Sequence, residues 1–163
     1  MPYQAVILTI SDSCAAGTRT DTSGPAIRSM LETAGFSVQA MQTIPDEEAQ
    51  ISAAIVHTCD MLQTDLVVTT GGTGLSPRDV TPEATLAVLD REIRAIPVAM
   101  WVEGLKSTPR AMLSRAVAGT RGHTLVLNLP GSEKAARENL GAVVATLDHA
   151  LKMLAGGGRG TYR

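Results

Sequence analysis

The sequence predicts an α/β fold, a single domain with a mostly parallel β-sheet covered by helices on both faces in three αβα layers. Three observations predict it. Short apolar or β-branched runs at residues 4–10, 65–69 and 123–129 read as buried strands. Helical patterns separate them, as βαβ units require. Polar loops rich in small residues follow the ends of these runs. At 163 residues the chain suits one domain, long enough to bury roughly 70% of its unfolded surface. Aromatic residues make up only 2%, so Val, Ile, Leu, Ala and Met must build the core.

The elements follow in order. Residues 4–10 form the first strand. A helix over 23–34 carries Ser23 as its cap and an early Pro25. Residues 36–43 alternate and give a second strand, more exposed on one face. Asp46 opens the next helix, whose Ile51, Ala54, Ile55, Cys59 and Leu62 fall on one stripe. After the strand at 65–69 comes a helix over about 82–90, with Thr81 as N-cap and Pro82 as first helical residue. Residues 97–119 read as helix in two pieces broken at Pro109. The strand at 123–129 follows, and Ser132 caps a last helix reaching about Leu154. The domain therefore covers 1–155, and the glycine-rich stretch 156–163 is expected to be a flexible tail.

Chemistry concentrates in Thr69-Thr70-Gly71-Gly72-Thr73-Gly74-Leu75-Ser76-Pro77-Arg78-Asp79-Val80-Thr81-Pro82-Glu83-Ala84. Its glycines let backbone N–H groups approach an anion, and a helix N-terminus lies beside them. The same glycines could simply make a tight strand-to-helix turn. No Gly-Lys-Ser/Thr follows, so this is not a Walker loop, and Pro77 stands where the dinucleotide fingerprint needs its last glycine. Asp79 cannot itself favour an anion. A carboxylate among phosphate-binding amides fits if a divalent cation lies between them, or if it acts on the reacting group.

Three loops converge on one crevice if the strands are parallel, because ligands bind beyond the carboxyl ends of strands where strand order reverses. Ser11 and Asp12 follow the first strand, Gly71 to Asp79 the strand at 65–69, and Pro130, Gly131 and Ser132 the last strand. Asp46 joins them if the second strand is parallel, and otherwise belongs to the far edge. Asn128, polar in an apolar strand, needs partners that a ligand edge would supply. Plainer readings exist for several of these. Asp46 with Glu47 and Glu48 suits any helix N-terminus, Ser11 and Asp12 any turn, and Ser114-Arg115 an ordinary helix surface.

Net charge is −2, but residues 1–90 carry −8, residues 91–121 carry +4 and residues 122–163 carry +2. No dominant basic face is available for nucleic acid. Cys14 and Cys59 are too few for a disulfide framework and lack zinc spacing. No run reaches membrane-spanning length and no secretory leader is recognisable, so a cytoplasmic protein is expected.

The 70–84 segment closely resembles the signature of the MogA/MoaB family of molybdenum-cofactor biosynthesis proteins, TGGTG-x-x-x-RDVTPEA. Ile10-Ser11-Asp12-Ser13, Ile44-Pro45-Asp46-Glu47, Ser114-Arg115 and Asn128-Leu129-Pro130-Gly131 extend the resemblance in family order along nearly the whole chain. It implies a molybdopterin-binding-like fold and a Mg²⁺-dependent molybdopterin adenylyltransferase. Such an enzyme transfers AMP from ATP to molybdopterin and releases pyrophosphate. It also implies catalytic and Mg²⁺-holding roles for Asp46 and Asp79. Ser11, Asp12, Thr70, Gly71, Gly72, Thr73, Gly74, Ser114, Asn128, Pro130, Gly131 and Ser132 would bind substrate and nucleotide. A homotrimer and a separate molybdate-insertion partner protein are further implications, with no nucleic acid or membrane partner. The alternative within the same fold is a non-catalytic, MoaB-like pterin-binding or scaffold member.

Overall fold

Alternation along the first strand creates the layers. In the computed structural model, which describes residues 2–156, β1 (Gln4–Ile10) buries both faces. Ala5 and Ile7 pack into one hydrophobic cluster; Val6, Leu8 and Ile10 pack into another on the opposite side. A period of two places neighbouring side chains on opposite faces, so the unbroken apolar run Ala5-Val6-Ile7-Leu8 demands cover on both.

The cover comes from helices. On the first face lie α2 (Ser23–Thr33), α5 (Ala95–Leu105) and α6 (Glu133–Leu154), contributing Ile27, Leu31, Met100, Leu140 and Leu147. Two shorter helices, α3 (Glu48–Val56) and α4 (Thr81–Leu86), supply Ile51, Ile55 and Ala84 to the second. Each fully buried Leu or Ile is worth about 1.5–3 kcal/mol. The remaining helix, α1 (Asp12–Ala15), is a single turn after β1.

The sheet also contains β2 (Ser37–Ile44), β3 (Leu66–Thr70), β4 (Arg91–Glu92), β5 (Ala118–Arg121) and β6 (Thr124–Leu129), in the order β2-β1-β3-β6-β5-β4. The first four of that order run parallel; β5 and β4 are antiparallel additions. The mostly parallel three-layer fold read from the sequence is therefore the fold observed. Because β2 is parallel to β1, Asp46 lies at the same edge as the other loops. The chain passes from β1 to β2 on one side and later to β3 on the other, which puts the switch point between the carboxyl ends of β1 and β3.

Several local expectations are corrected. Residues 97–119 are not helical throughout: α5 ends at Leu105, a 3₁₀ turn spans Pro109–Leu113, and β5 begins at Ala118. Thr81 is the first helical residue of α4, not its cap, and its buried hydroxyl is used elsewhere. Ser23 likewise begins α2; the Gly24 amide donates instead to the Asp21 carboxylate at 3.0 Å. β2 is exposed along most of its length, as the sheet's edge strand, and Leu62 faces outward. Ser132 does cap α6, accepting from the Ala135 amide at 3.2 Å. Of the predicted tail only Gly156 is described; 157–163 lie outside the described residues.

Candidate active site

Loops at the carboxyl ends of β1, β2, β3 and β6 enclose a cleft of about 360 Å³ at the switch point. Ser11, Asp46, Thr70, Gly71, Gly72 and Asp79 line it, joined by Gly131 and Ser132 from the loop before α6.

The glycine loop is set by contacts that leave no room for side chains. Gly71 has φ +104°, and a Cβ there would come within 2.2 Å of the Ile10 carbonyl oxygen. Gly72 has φ +69°, and its Cβ would lie 2.2 Å from Thr81 Oγ1 and 3.1 Å from Asp46 Oδ1. Both positions lie in the left-handed region, where glycine is the residue without penalty. The Thr81 hydroxyl donates to the Gly71 carbonyl at 2.9 Å, and the Thr81 amide to the Gly72 carbonyl at 3.1 Å. Thr81 thus fastens the loop to the start of α4. From the other side, Thr70 Oγ1 donates to the Pro130 carbonyl and Ser23 Oγ to the Gly131 carbonyl, each at 2.7 Å.

The carboxylates form a linked set. The Asp12 amide donates to Asp46 Oδ2 at 2.8 Å, and the Asp46 amide returns a bond to Asp12 Oδ1 at 2.9 Å. Arg78 grips Asp12 with Nε and Nη2, each at 3.0 Å, and reaches Glu47 at 2.9 Å. The Arg78 hydrogen bonds, with that from the Asp46 amide, hold the Asp12 carboxyl below the usual carboxylate range. Asp46 is shifted the other way. Burial raises its pKa, the charges of Asp12 and Asp79 raise it further, and the Asp12 amide and Arg78 oppose them. Asp79 is fixed by the Ser76 amide, which donates to its Oδ2 at 2.9 Å.

Among the described residues, no group of three or more His, Cys, Asp or Glu could hold a metal alone. Asp46 and Asp79 both face the cleft, and the repulsion acting on Asp46 marks excess negative charge there. Two hard oxygen donors with room for phosphates fit Mg²⁺, which keeps several waters and shares its remaining positions with substrate.

Other predicted residues fall elsewhere. Ser114 lines a neighbouring cleft of about 250 Å³ between α5 and α6, which meets the first cleft at Ser132. Thr73 is buried in the loop and Gly74 lies outside the cleft. Asn128 is a correction: its amide is fully buried beneath the site. Its Oδ1 accepts from the Val117 amide at 3.2 Å, and its Nδ2 donates to Thr69 and Thr85 hydroxyls at 2.9 and 3.1 Å. The partners it needs are protein groups. Sequence reasoning missed Asp21, whose Oδ2 accepts from Thr9 Oγ1 at 2.7 Å at the cleft wall. It also missed the contacts of Arg78 and Arg115, because nothing local in the sequence shows which distant carbonyls or carboxylates a guanidinium will meet.

Comparison with known proteins agrees with this geometry. Residues 6–149 match the family model described as a probable molybdopterin binding domain. The chain is 41% identical over 149 residues to the molybdenum cofactor synthesis protein cinnamon of Drosophila melanogaster, covering 91% of this chain and 25% of that one. It therefore spans only a quarter of that relative's length. To the molybdopterin adenylyltransferase of Escherichia coli K12 it is 41% identical over 139 residues, covering 84% of this chain and 71% of the relative. The crystal structure of the molybdopterin biosynthesis enzyme MoaB from Thermus thermophilus superposes with TM-score 0.90 at 49% identity, covering 94% and 97% of the two chains.

Proposed function

Because the chain belongs to the molybdopterin-binding domain family, we propose that its cleft catalyses Mg²⁺-dependent transfer of AMP from ATP to molybdopterin, a step of molybdenum-cofactor biosynthesis. The observation that carries this reading is the pairing of a glycine loop with two carboxylates, Asp46 and Asp79, in one cleft at the switch point. Phosphate oxygens need amide donors, and a phosphoryl group attacked by another phosphate needs charge stabilisation more than a strong base.

In the reaction, an oxygen of the molybdopterin terminal phosphate attacks the α-phosphorus of ATP. The bond between that phosphorus and the α–β bridging oxygen breaks, and pyrophosphate leaves with the electron pair. The Gly72 amide, together with the Ser11 and Ser132 hydroxyls, holds the phosphates in line, while the Gly71 amide donates to the Leu129 carbonyl at 3.0 Å and anchors the turn to β6. Asp46 and Asp79 would hold Mg²⁺, which offsets charge on the triphosphate and on the departing pyrophosphate. Asp12 and Arg78 keep Asp46 oriented through the reciprocal amide bonds. Ser114, Pro130 and Ser132 shape the adjoining cleft for the remainder of the substrates. The two carboxylates favour turnover over a pterin-binding scaffold, since a scaffold has no use for paired negative charge beside a phosphate.

Purified protein supplied with molybdopterin, ATP and Mg²⁺ should release pyrophosphate and form an AMP–pterin product. Pterin binding without that product would instead support the scaffold reading. ATP consumed equally without pterin would sink both.

The active assembly is a homotrimer in a cytoplasmic setting, with a molybdate-insertion protein as the downstream partner. No helix of the described residues is long and apolar enough to cross a membrane. Val98, Val102 and Leu105 are exposed along one side of α5, with Met112 and Leu113 beyond it, and further copies of the chain would cover them. Val102→Glu should then sediment as a smaller species than the parent, and unchanged sedimentation of a monomeric parent would refute the trimer.

A further inference from the structure

Arg115 lines neither of these clefts, yet three of its N–H groups meet the signature loop. Its backbone amide donates to the Thr73 carbonyl at 2.8 Å, its Nε to the Gly74 carbonyl at 2.8 Å, and its Nη2 to the Asp79 carbonyl at 2.7 Å. Nη1 pairs with Glu83 on α4. Three carbonyls at the two ends of one excursion, 73–79, are thereby gathered onto a single residue. Between those ends Leu75, Ser76, Pro77 and Arg78 are exposed.

We propose that Arg115 is a positioning residue for AMP transfer, setting the loop conformation from which Asp79 presents its carboxylate to the cleft. The inference rests on the reaction proposed above. Its physical basis is independent. A planar guanidinium offers several N–H donors in a fixed fork, so it can hold carbonyls from separate peptides at once, whereas an ammonium is a single point charge. In a trans peptide the following N–H points opposite to the carbonyl. Tying the Thr73 and Gly74 carbonyls toward Arg115 therefore turns the Gly74 and Leu75 amides the other way. Tying the Asp79 carbonyl fixes the backbone that carries the carboxylate. Among the described residues, what remains to hold that carboxylate is one bond from the Ser76 amide, within the same excursion.

The test compares the full chain with Arg115→Lys, Arg115→Ala and Glu83→Gln by amide hydrogen exchange, thermal melting and steady-state AMP transfer. Arg115→Lys keeps the charge beside Glu83 and loses the fork. It should melt near the parent temperature while exchange at the Ser76 and Asp79 amides quickens about tenfold or more. Its kcat should fall about tenfold to a hundredfold with the KM for molybdopterin within about twofold, the pattern of a group that acts on the transition state. Arg115→Ala should do no better, and Glu83→Gln should resemble the parent. Parent-like exchange in Arg115→Lys, loosened exchange with unchanged kcat, or Glu83→Gln reproducing the defect would each overturn the proposal. Absence of AMP transfer by the parent chain would count against the reaction, and the exchange comparison would still decide whether Arg115 sets the loop.

Discussion

Adding a methyl group at Gly72 separates a loop shaped by its neighbours from one that merely turns. In Gly72→Ala the backbone stays at φ +69°, a region that costs a non-glycine residue about 1–2 kcal/mol. The new Cβ would also lie 2.2 Å from Thr81 Oγ1, closer than any real contact allows. The hydroxyl must rotate away and give up its bond to the Gly71 carbonyl, which adds about 0.5–1.5 kcal/mol. Together these predict a loss of about 1.5–3.5 kcal/mol. Thr81→Ala alone removes the same hydrogen bond and should cost about 0.5–1.5 kcal/mol. In the double variant the bond is lost once and the methyl enters vacated space, so the combined loss should fall short of the sum by about 1 kcal/mol. Denaturant unfolding of the four proteins measures this cycle. Strict additivity, or a Gly72→Ala variant as stable as the parent, would refute the packing argument. AMP transfer gives a second readout. The methyl still lies about 3.1 Å from Asp46 Oδ1, so relieving the clash should recover stability without recovering activity.

Three further outcomes are expected. Asp46→Asn and Asp79→Asn keep an oxygen for the Asp12 and Ser76 amides, so their melting temperatures should stay close to the parent while turnover drops about a hundredfold; near-parental rates in both would return these residues to structural roles. Asn128→Ala leaves the Val117 amide and two threonine hydroxyls without their partner, at about 1–3 kcal/mol for a buried group, and should lower stability while leaving KM values unchanged; a KM rise without stability loss would put Asn128 back in the site. Acidification should lower activity from above the ordinary carboxylate range, because the Asp46 pKa is raised and its ionised form is the one that holds a cation. Arg78 opposes that shift, so Arg78→Gln should move the acid limb of the pH–rate profile to higher pH, and a move to lower pH would disprove the electrostatic link. For stability the signs differ. The lowered Asp12 pKa favours the fold above its unfolded value and is lost on acidification, while the raised Asp46 pKa makes the opposite contribution.

Where the chain's own period or a terminus signal decides the structure, the sequence is readable. β1 carries the unbroken apolar run Ala5-Val6-Ile7-Leu8 and β6 the run Leu125-Val126-Leu127, and Ser132 with Glu133 marks the start of α6 in the way caps usually do. β5 escapes because Ala118-Gly119-Thr120-Arg121 has neither alternation nor β-branched density; only the glycine of the two-residue link Gly122-His123 before β6 signals a hairpin. Residue type alone makes Thr81 and Ser23 look like caps. A hydroxyl with a distant carbonyl in reach spends its bond there instead, and which carbonyl comes near is a tertiary fact. The same holds for Arg115, whose partners lie some forty residues away in sequence. Asn128 does need partners, as a polar residue in an apolar strand must, but a backbone amide and two threonines meet that need in place of a ligand.

The strand order also bears on how the chain is made. β3 lies inside the sheet, but the neighbour that closes its second edge is β6, with Leu66 opposite Leu125. Between them the ribosome must add roughly 60 residues, about 3–12 seconds at ordinary elongation rates of about 5–20 residues per second. Through that interval Leu66, Val67 and Val68 offer an open, apolar strand edge to any neighbouring nascent chain. Ser132, which completes the cleft, arrives later still, so ligand cannot rescue the unfinished sheet. Slowed translation between 70 and 124 should therefore raise aggregation far more than the same delay placed after Leu129.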